Sequence, residues 1–231
     1  MADQPQSFPP SPAFTAQANL GDPQVYDQAA RDPEGWWAAQ SRALLRWSTP
    51  FSTVCEWNPP HAKWFTDGKL NAADNCLDRH LGGAKRNQAA LVWEGEPGDS
   101  RVLTYHDLHR ETCKFANVLL SLGINKGDRV TIYLPLVPEA VVAMLACARI
   151  GAVHNVVFAG FSADSLRERI ADSQSRLLIT ADGGWRRGGI VRLKEAADKA
   201  LEGETTIKRV IVLNRTGDPK TVAMHGERDL W

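Results

Sequence analysis

The hydrophobic positions of this chain are best ordered between residues 128 and 182, where three short apolar runs alternate with two helical patterns. The runs are Arg129–Leu134, Val153–Phe158 and Arg176–Thr180, rich in Val, Ile and Leu and bounded by Gly, Asp or Pro. Runs of this kind fit strands buried on both faces of a parallel sheet. Between the first two, Pro138 and Glu139 open a helix and Gly151 closes it. Proline suits a first helical position and glycine a left-handed cap. Ala140, Ala143, Ala146 and Ala148 let that helix lie close to a sheet. A second helix starts at Ser162, a natural N-cap, with Asp164 in its first turn and Leu166 and Ile170 on one face. The pattern is a βαβαβ unit whose crossovers are expected to be right-handed.

The flanks extend this unit. Thr104-x-x-Asp107 caps a helix whose apolar face is Leu108, Phe115, Leu119 and Leu122, with Gly123 as its stop. Before it, Leu91–Trp93 and Arg101–Thr104 flank EGEPGDS and predict a β-hairpin. After the unit, Val191–Leu201 reads as a helix and Ile207–Leu213 as a fourth strand; the tail beyond carries no firm element. Toward the N-terminus, Asp32-Pro33-Glu34 starts a helix running to about Trp47, so that Trp36, Trp37 and Trp47 share it. Residues 48–68 mix aromatics with prolines and predict extended chain laid over a surface. Asn71 and Asp74 cap a helix that Leu77 and Leu81 continue as far as Gly82-Gly83. The expected organisation is a flexible tail over 1–25, a helical and extended wrapping region over 26–90, and an α/β subdomain over 91–231.

Composition leaves this picture unchanged and removes several functions. Hydrophobic residues make up 43% of 231 and charged residues 23%, as in an ordinary globular protein. Lys plus Arg number 27, as do Asp plus Glu, so net charge gives no reason to expect nucleic acid or a membrane surface as partner. Leu134–Ala148 is the longest apolar stretch, and Pro135, Pro138 and Glu139 interrupt it. The N-terminus lacks a basic start followed by an apolar core, so a cytoplasmic protein is expected. Cys55, Cys76, Cys113 and Cys147 form no CxxC pair, and no metal site is expected.

The candidate chemistry begins with missing motifs. The first strand–helix junction, YLPLVPEA, has no glycine, so the dinucleotide fingerprint is absent, and so are GxxxxGK[ST] and GxSxG. Two loops remain, each following the carboxyl end of a parallel strand, where open sheets bind ligands. The first is Phe158–Ser162, in which Gly160 permits close approach and Phe158 and Phe161 offer apolar faces. An ordinary turn with core phenylalanines would read the same way. The second is Gly183–Gly189, in which Arg186 and Arg187 between glycine pairs suit a phosphate. A solvated surface loop is its bland equivalent. Asp78-Arg79-His80 is tempting as a catalytic cluster, but its place near a helix end favours a structural ion pair.

NCLDRHL (75–81), FANVLLSLGINKGDRVTIYLPLVPEAVVAMLACARIGAVHNVVFAGFS (115–162) and SRLLITADGG (175–184) closely resemble the acetyl-coenzyme A synthetases. These belong to the acyl-adenylate-forming superfamily, with firefly luciferase and the adenylation domains of peptide synthetases. The resemblance runs from about Tyr26 to Trp231. It implies a mostly parallel sheet flanked by helices, part of a large N-terminal domain, behind an irregular N-terminal wrapping segment. It also implies a two-step reaction in which acetate and ATP give acetyl-adenylate, and coenzyme A (CoA) then displaces AMP. ATP with Mg2+, acetate and CoA would be the complete enzyme's ligands, and the missing remainder of the enzyme this chain's partner. The family's ATP machinery does not match any stretch here, so the chain reads as an N-terminal part ending at Trp231, with no catalytic residue of its own. What it would keep is part of the CoA site: Phe158 and Gly160, with Arg186, Arg187, Gly188 and Gly189. Relatives commonly have Arg or Lys where this chain has Gly189 or Ile190, which leaves Arg187 as the substitute second cation. A propionyl-CoA or related short-chain ligase, and a non-catalytic binding module on the same fold, are the alternatives.

Overall fold

The structure is a computed structural model and describes residues 7–217 and 222–231. Two compact units divide the chain, one ending at Lys69 and the other starting at Leu70. No helix among the described residues is long and apolar enough to cross a membrane.

The first unit holds α1 (Pro12–Gln17), α2 (Gln24–Arg31), α3 (Pro33–Leu44) and an antiparallel pair, β1 (Cys55–Asn58) and β2 (His61–Trp64). Ser11 caps α1, a helix inside the segment expected to be a flexible tail, and none of its residues is buried. The helix α3 starts as expected, with the Asp32 carboxylate accepting from the Gly35 N–H and Pro33 next to the cap. It ends at Leu44 rather than near Trp47. The Trp47 indole turns back to donate to the Ser41 carbonyl and packs edge-on against Phe51 and Phe65 at 5.1 and 5.7 Å. Aromatic burial therefore ends the helix early. The extended surface chain expected over 48–68 contains β1 and β2 instead, and Pro59 and Pro60 occupy the turn between them, where no ladder N–H is needed.

The second unit is an α/β layer structure. Its core strands are β5 (Arg129–Tyr133), β6 (Val153–Val156), β7 (Leu177–Ala181), β10 (Arg209–Leu213) and β11 (Asp229–Leu230). They form one parallel sheet in the order β11-β10-β7-β5-β6. The helix α6 (Pro138–Ile150) links β5 to β6, α7 (Ala163–Ser173) links β6 to β7, and α8 (Leu193–Ala200) lies between β7 and β10. The step from β5 to β6 runs one way across the sheet, and the next two steps run the other way. Right-handed crossovers then put α6 on one face and α7 with α8 on the opposite face. α5 (Tyr105–Ser121) packs on α6, and α7 packs on α8.

The predicted caps are present. Thr104 and Asp107 form a reciprocal capping box, Ser162 Oγ accepts from the Ser165 N–H, and Gly151 closes α6 at φ 74°. Leu119, Val130, Ala146, Leu166, Leu178 and Val210 are fully buried and join helices to both sheet faces. Burying each leucine or valine contributes about 1.5–3 kcal/mol.

Four expectations need correction. The helix expected over 71–81 breaks at Leu77: α4 (Ala72–Cys76) is followed by a 3-10 turn over Asp78–His80. The break buries Leu77 and turns Asp78 toward Arg149 and His109. β6 is an edge strand with Val153 and Val156 half exposed, not a strand buried on both faces. Val191 leaves the expected helix to pair with Gly184, so α8 begins at Leu193. The tail supplies β11, held beside β10 because Asp229 pairs with Lys194 and Arg228.

Candidate functional site

A cavity of about 320 Å³ opens at the carboxyl ends of β5, β6 and β7. The connections after β5 and β7 leave toward opposite faces, so the crevice between those strand ends is the sheet's switch point. Three loops meet there: Leu134–Val137 after β5, Phe158–Gly160 after β6, and Gly184–Arg186 after β7. Trp93 and Glu94–Glu96, from the hairpin of β3 (Ala89–Glu94) and β4 (Ser100–Thr104), also line it, as do Val191, Leu193 and, after β10, Arg215.

The loop after β6 is held from beneath. The Tyr133 hydroxyl donates to the Phe161 carbonyl at 2.9 Å, and the Phe161 N–H donates to the Phe158 carbonyl at 3.0 Å. Burial raises the Tyr133 pKa, which keeps this hydroxyl a donor. Phe158 is 54% exposed and Phe161 41%, which excludes the reading of both as core phenylalanines. Their rings meet edge to face at 5.9 Å, and the Arg169 guanidinium lies 4.6 Å from the Phe161 ring.

Residues 184–191 are not an irregular loop. β8 (Gly184–Arg186) and β9 (Gly189–Val191) form a short hairpin in which Arg186 pairs with Gly189. Arg187 and Gly188 fill its two-residue turn at φ 53° and 76°, the sign pattern of a type I′ turn. Strands of three residues are too short to leave a periodic trace, and arginine is not the usual first residue of such a turn.

The hairpin separates the predicted residues. Phe158, Gly160 and Arg186 line the cavity together, with the Arg186 guanidinium 5.4 Å from the Phe158 ring centroid. A Cβ on Gly160 would lie 2.5 Å from Arg186 Nη1 and 2.6 Å from Phe158 Cε1, so glycine is what allows the three to meet. Arg187, Gly188 and Gly189 do not line the cavity. The Gly188 N–H instead donates to the Glu96 carboxylate across from the β3–β4 loop. Arg186 and Arg187 have no carboxylate within ion-pair distance among the described residues, whereas Arg149, Arg176, Arg215 and Arg228 each have one.

Trp93, Leu136 and Arg215 were not evident from the sequence. The Trp93 indole N–H donates to the Leu136 carbonyl at 2.7 Å, and Arg215 lies 5.1 Å from the Trp93 ring while pairing with Asp99 at 2.9 Å. Leu136 itself is 88% exposed at the cavity rim. Asp182, buried at the end of β7, fixes the segment carrying Arg215 by accepting from the N–H groups of Gly183, Arg215 and Thr216. Arg215 is thus paired with Asp99, and Arg186 is the cation of the lining with no carboxylate at ion-pair distance among the described residues. A ligand with a flat or apolar body and an anionic group fits this arrangement.

The tempting Asp78–His80 cluster is structural. Asp78 pairs with Arg149 and lies 3.3 Å from His109 Nε2; burial opposes its ionisation, but Arg149 and His109 hold its pKa below the usual value. Among the described residues, Asp198, His225 and Asp229 bring ligand atoms within 4.8 Å of one another. Lys194 and Arg228 already neutralise those carboxylates, so the group offers a cation no unmet negative charge.

This parallel α/β sheet is that of the AMP-binding enzyme family, to which the chain belongs, the family profile matching residues 77–229. The profile for the acetyl-coenzyme A synthetase N-terminus matches residues 23–76. An acetyl-coenzyme A synthetase from Gemmatimonas aurantiaca is 55% identical over 98% of this chain and 35% of the relative. Another, from Chlorobaculum tepidum, is 46% identical over 98% of this chain and 34% of the relative. The solved acetoacetyl-CoA synthetase from Streptomyces lividans matches at TM-score 0.80 and 27% identity, over 94% of this chain and 34% of that one. The chain therefore spans about a third of the length of the curated relatives it matches.

Proposed function

We propose that this chain is the N-terminal part of an acetate–CoA ligase, which joins acetate and CoA at the expense of ATP by way of acetyl-adenylate. In this reading the switch-point cavity receives the nucleotide end of CoA. Phe158 and Gly160 offer one wall, and Arg186 faces the 3′-phosphate. The observation that carries the reading is the meeting of Phe158, Gly160 and Arg186, from two separate loops, around one cavity. An unpaired guanidinium beside an aromatic ring suits a phosphorylated nucleotide. Arg187 does not line that cavity and plays the lesser part. ATP and its Mg2+ belong to the rest of the enzyme, since the acidic group at Asp198 and Asp229 does not fit a metal.

The test is the Michaelis constant for CoA in the whole enzyme, with dephospho-CoA as control. Losing a charge-assisted hydrogen bond costs about 1.5–3 kcal/mol, or roughly tenfold to a hundredfold in affinity. Arg186→Ala raises the constant for CoA by that factor and leaves dephospho-CoA and acetyl-adenylate formation unchanged. Arg187→Ala does less. Equal weakening of both ligands would make Arg186 a support of the hairpin and overturn the assignment. The likeness to an acetoacetyl-CoA synthetase favours one second reading, a ligase for another short acyl group. Comparing acetate with acetoacetate as substrates of the whole enzyme decides between them.

A further inference from the structure

The β3–β4 loop lines the cavity through Gly95 and Glu96 and is fastened on both sides. On one side Asp99 pairs with Arg215, at 2.9 and 3.0 Å. On the other the Glu96 carboxylate accepts from the Gly188 N–H at the tip of the β8–β9 hairpin. Within the loop, the Gly95 N–H donates to the Asp99 carbonyl at 2.7 Å and the Gly98 N–H to the Gly95 carbonyl at 2.9 Å. The loop is therefore tied to itself and to Arg215 without help from Glu96. Glu96 can release the hairpin while the rest of the loop stays in place.

What Glu96 holds is a turn amide flanked by Arg186 and Arg187, neither of which has a carboxylate partner among the described residues. Arg186 and Glu96 line the cavity together, and a guanidinium is a donor a phosphate uses. A carboxylate held there by the Gly188 N–H repels a second anion. We infer that Glu96 is an anion gate: it occupies the Gly188 amide when the cavity is free of ligand and yields when a phosphomonoester docks beside Arg186. This inference rests on the reading that the cavity takes the nucleotide end of CoA. It adds a residue that weakens and discriminates instead of one that binds. A ligand without the 3′-phosphate gains nothing from displacing Glu96, so the gate acts on the phosphate alone.

The experiment is isothermal titration of the whole enzyme with CoA and with dephospho-CoA, for the unaltered chain, Glu96→Gln and Arg186→Ala. Glutamine keeps an acceptor for the Gly188 N–H and removes the charge. The expected result is that Glu96→Gln binds CoA about twofold to fivefold tighter, with dephospho-CoA unchanged, since one exposed like-charge interaction is worth up to roughly 1 kcal/mol. The Gly188 amide resonance, followed by NMR, must also shift when the unaltered chain is saturated with CoA. If Glu96→Gln matches the unaltered chain, or tightens both ligands equally, while Arg186→Ala still weakens CoA alone, the gate is overturned and the site assignment stands. If the unaltered chain binds neither ligand, or Arg186→Ala changes nothing, the site assignment fails and takes the gate with it.

Discussion

Arg186 stands over Phe158, its guanidinium carbon 5.4 Å from the ring centroid, although the two residues belong to different crossovers of the sheet. Such a contact is worth about 0.5–1 kcal/mol at an exposed site. Its larger consequence is geometric, because it fixes a charged group and an aromatic face on the same cavity before any ligand arrives. Pre-ordering of this kind removes part of the entropy that binding would otherwise cost.

Gly160→Ala tests that geometry. The added methyl group would overlap Arg186 Nη1 and Phe158 Cε1, both at the outer ends of side chains that can swing into solvent. Stability should change by less than about 0.5 kcal/mol, the usual limit for surface substitutions. CoA affinity should fall about tenfold as the two side chains part, an effect of roughly 1.4 kcal/mol. Paired urea unfolding and titration measure both, and a variant that loses stability and keeps affinity would contradict the expectation.

Gly151→Ala should behave in the opposite way. Gly151 sits at φ 74°, and its Cβ would come within 2.9 Å of Lys126 Cγ. The left-handed conformation costs a non-glycine residue about 1–2 kcal/mol. Unfolding free energy in urea should drop by that amount while CoA binding in the folded chain is unchanged, since α6 ends at the amino end of β6 and the cavity lies beyond its carboxyl end.

Much of this was legible in the chain because local signals and tertiary packing agree there. β5, α6, α7 and β7 each carry apolar periodicity together with a cap or stop of the right chemistry, and each forms within a residue or two of its expected limits. The elements that were not legible depend on partners far away in sequence. β11 has two residues and exists because Asp229 is drawn to Lys194. α4 stops at Leu77 because Asp78 finds Arg149, which lies 71 positions further on. The site divides in the same way. Phe158, Gly160 and Arg186 follow strand ends, a position that can be read locally. Trp93 reaches the cavity only through a hairpin whose docking no local pattern encodes. Arg215 follows the carboxyl end of β10, and the same strand-end rule would have found it.

Acid should unfold the second unit through Asp229. This carboxylate is buried; burial by itself would raise its pKa, but hydrogen bonds from Arg228, Lys194 and the His225 N–H bring it down to about 2. A carboxyl with a depressed folded-state pKa stabilises the fold above its unfolded value, near 3.9. That contribution is lost as pH falls through the folded value. Between pH 4 and pH 2 the chain should lose roughly 2 kcal/mol through this group alone. Asp229→Asn should be less stable at neutral pH and show a shallower loss across the same interval. Urea midpoints at several pH values measure this, and parallel curves for the two proteins would assign the acid sensitivity elsewhere.

The last prediction separates binding from chemistry. Adenylation needs a cradle for the triphosphate of ATP and a cation to neutralise it. The sequence has no GxxxxGK[ST] loop and no stretch dense enough in Gly, Ser, Thr and Lys to wrap phosphates with backbone amides. The buried carboxylates that could hold Mg2+ are already engaged, Asp182 by the N–H groups of Gly183, Arg215 and Thr216, and Asp229 by Lys194 and Arg228. The switch-point cavity presents one unpaired guanidinium, Arg186, enough for a phosphomonoester and too little for a triphosphate. The 231-residue chain should therefore show no acetate-dependent exchange of labelled pyrophosphate into ATP, even at concentrations where it binds CoA. Adding the remainder of the proposed enzyme as a separate polypeptide should restore exchange, because that part would supply the missing phosphate cradle. Acetate-dependent exchange by the chain alone would place adenylation chemistry among residues assigned here to structure or to CoA.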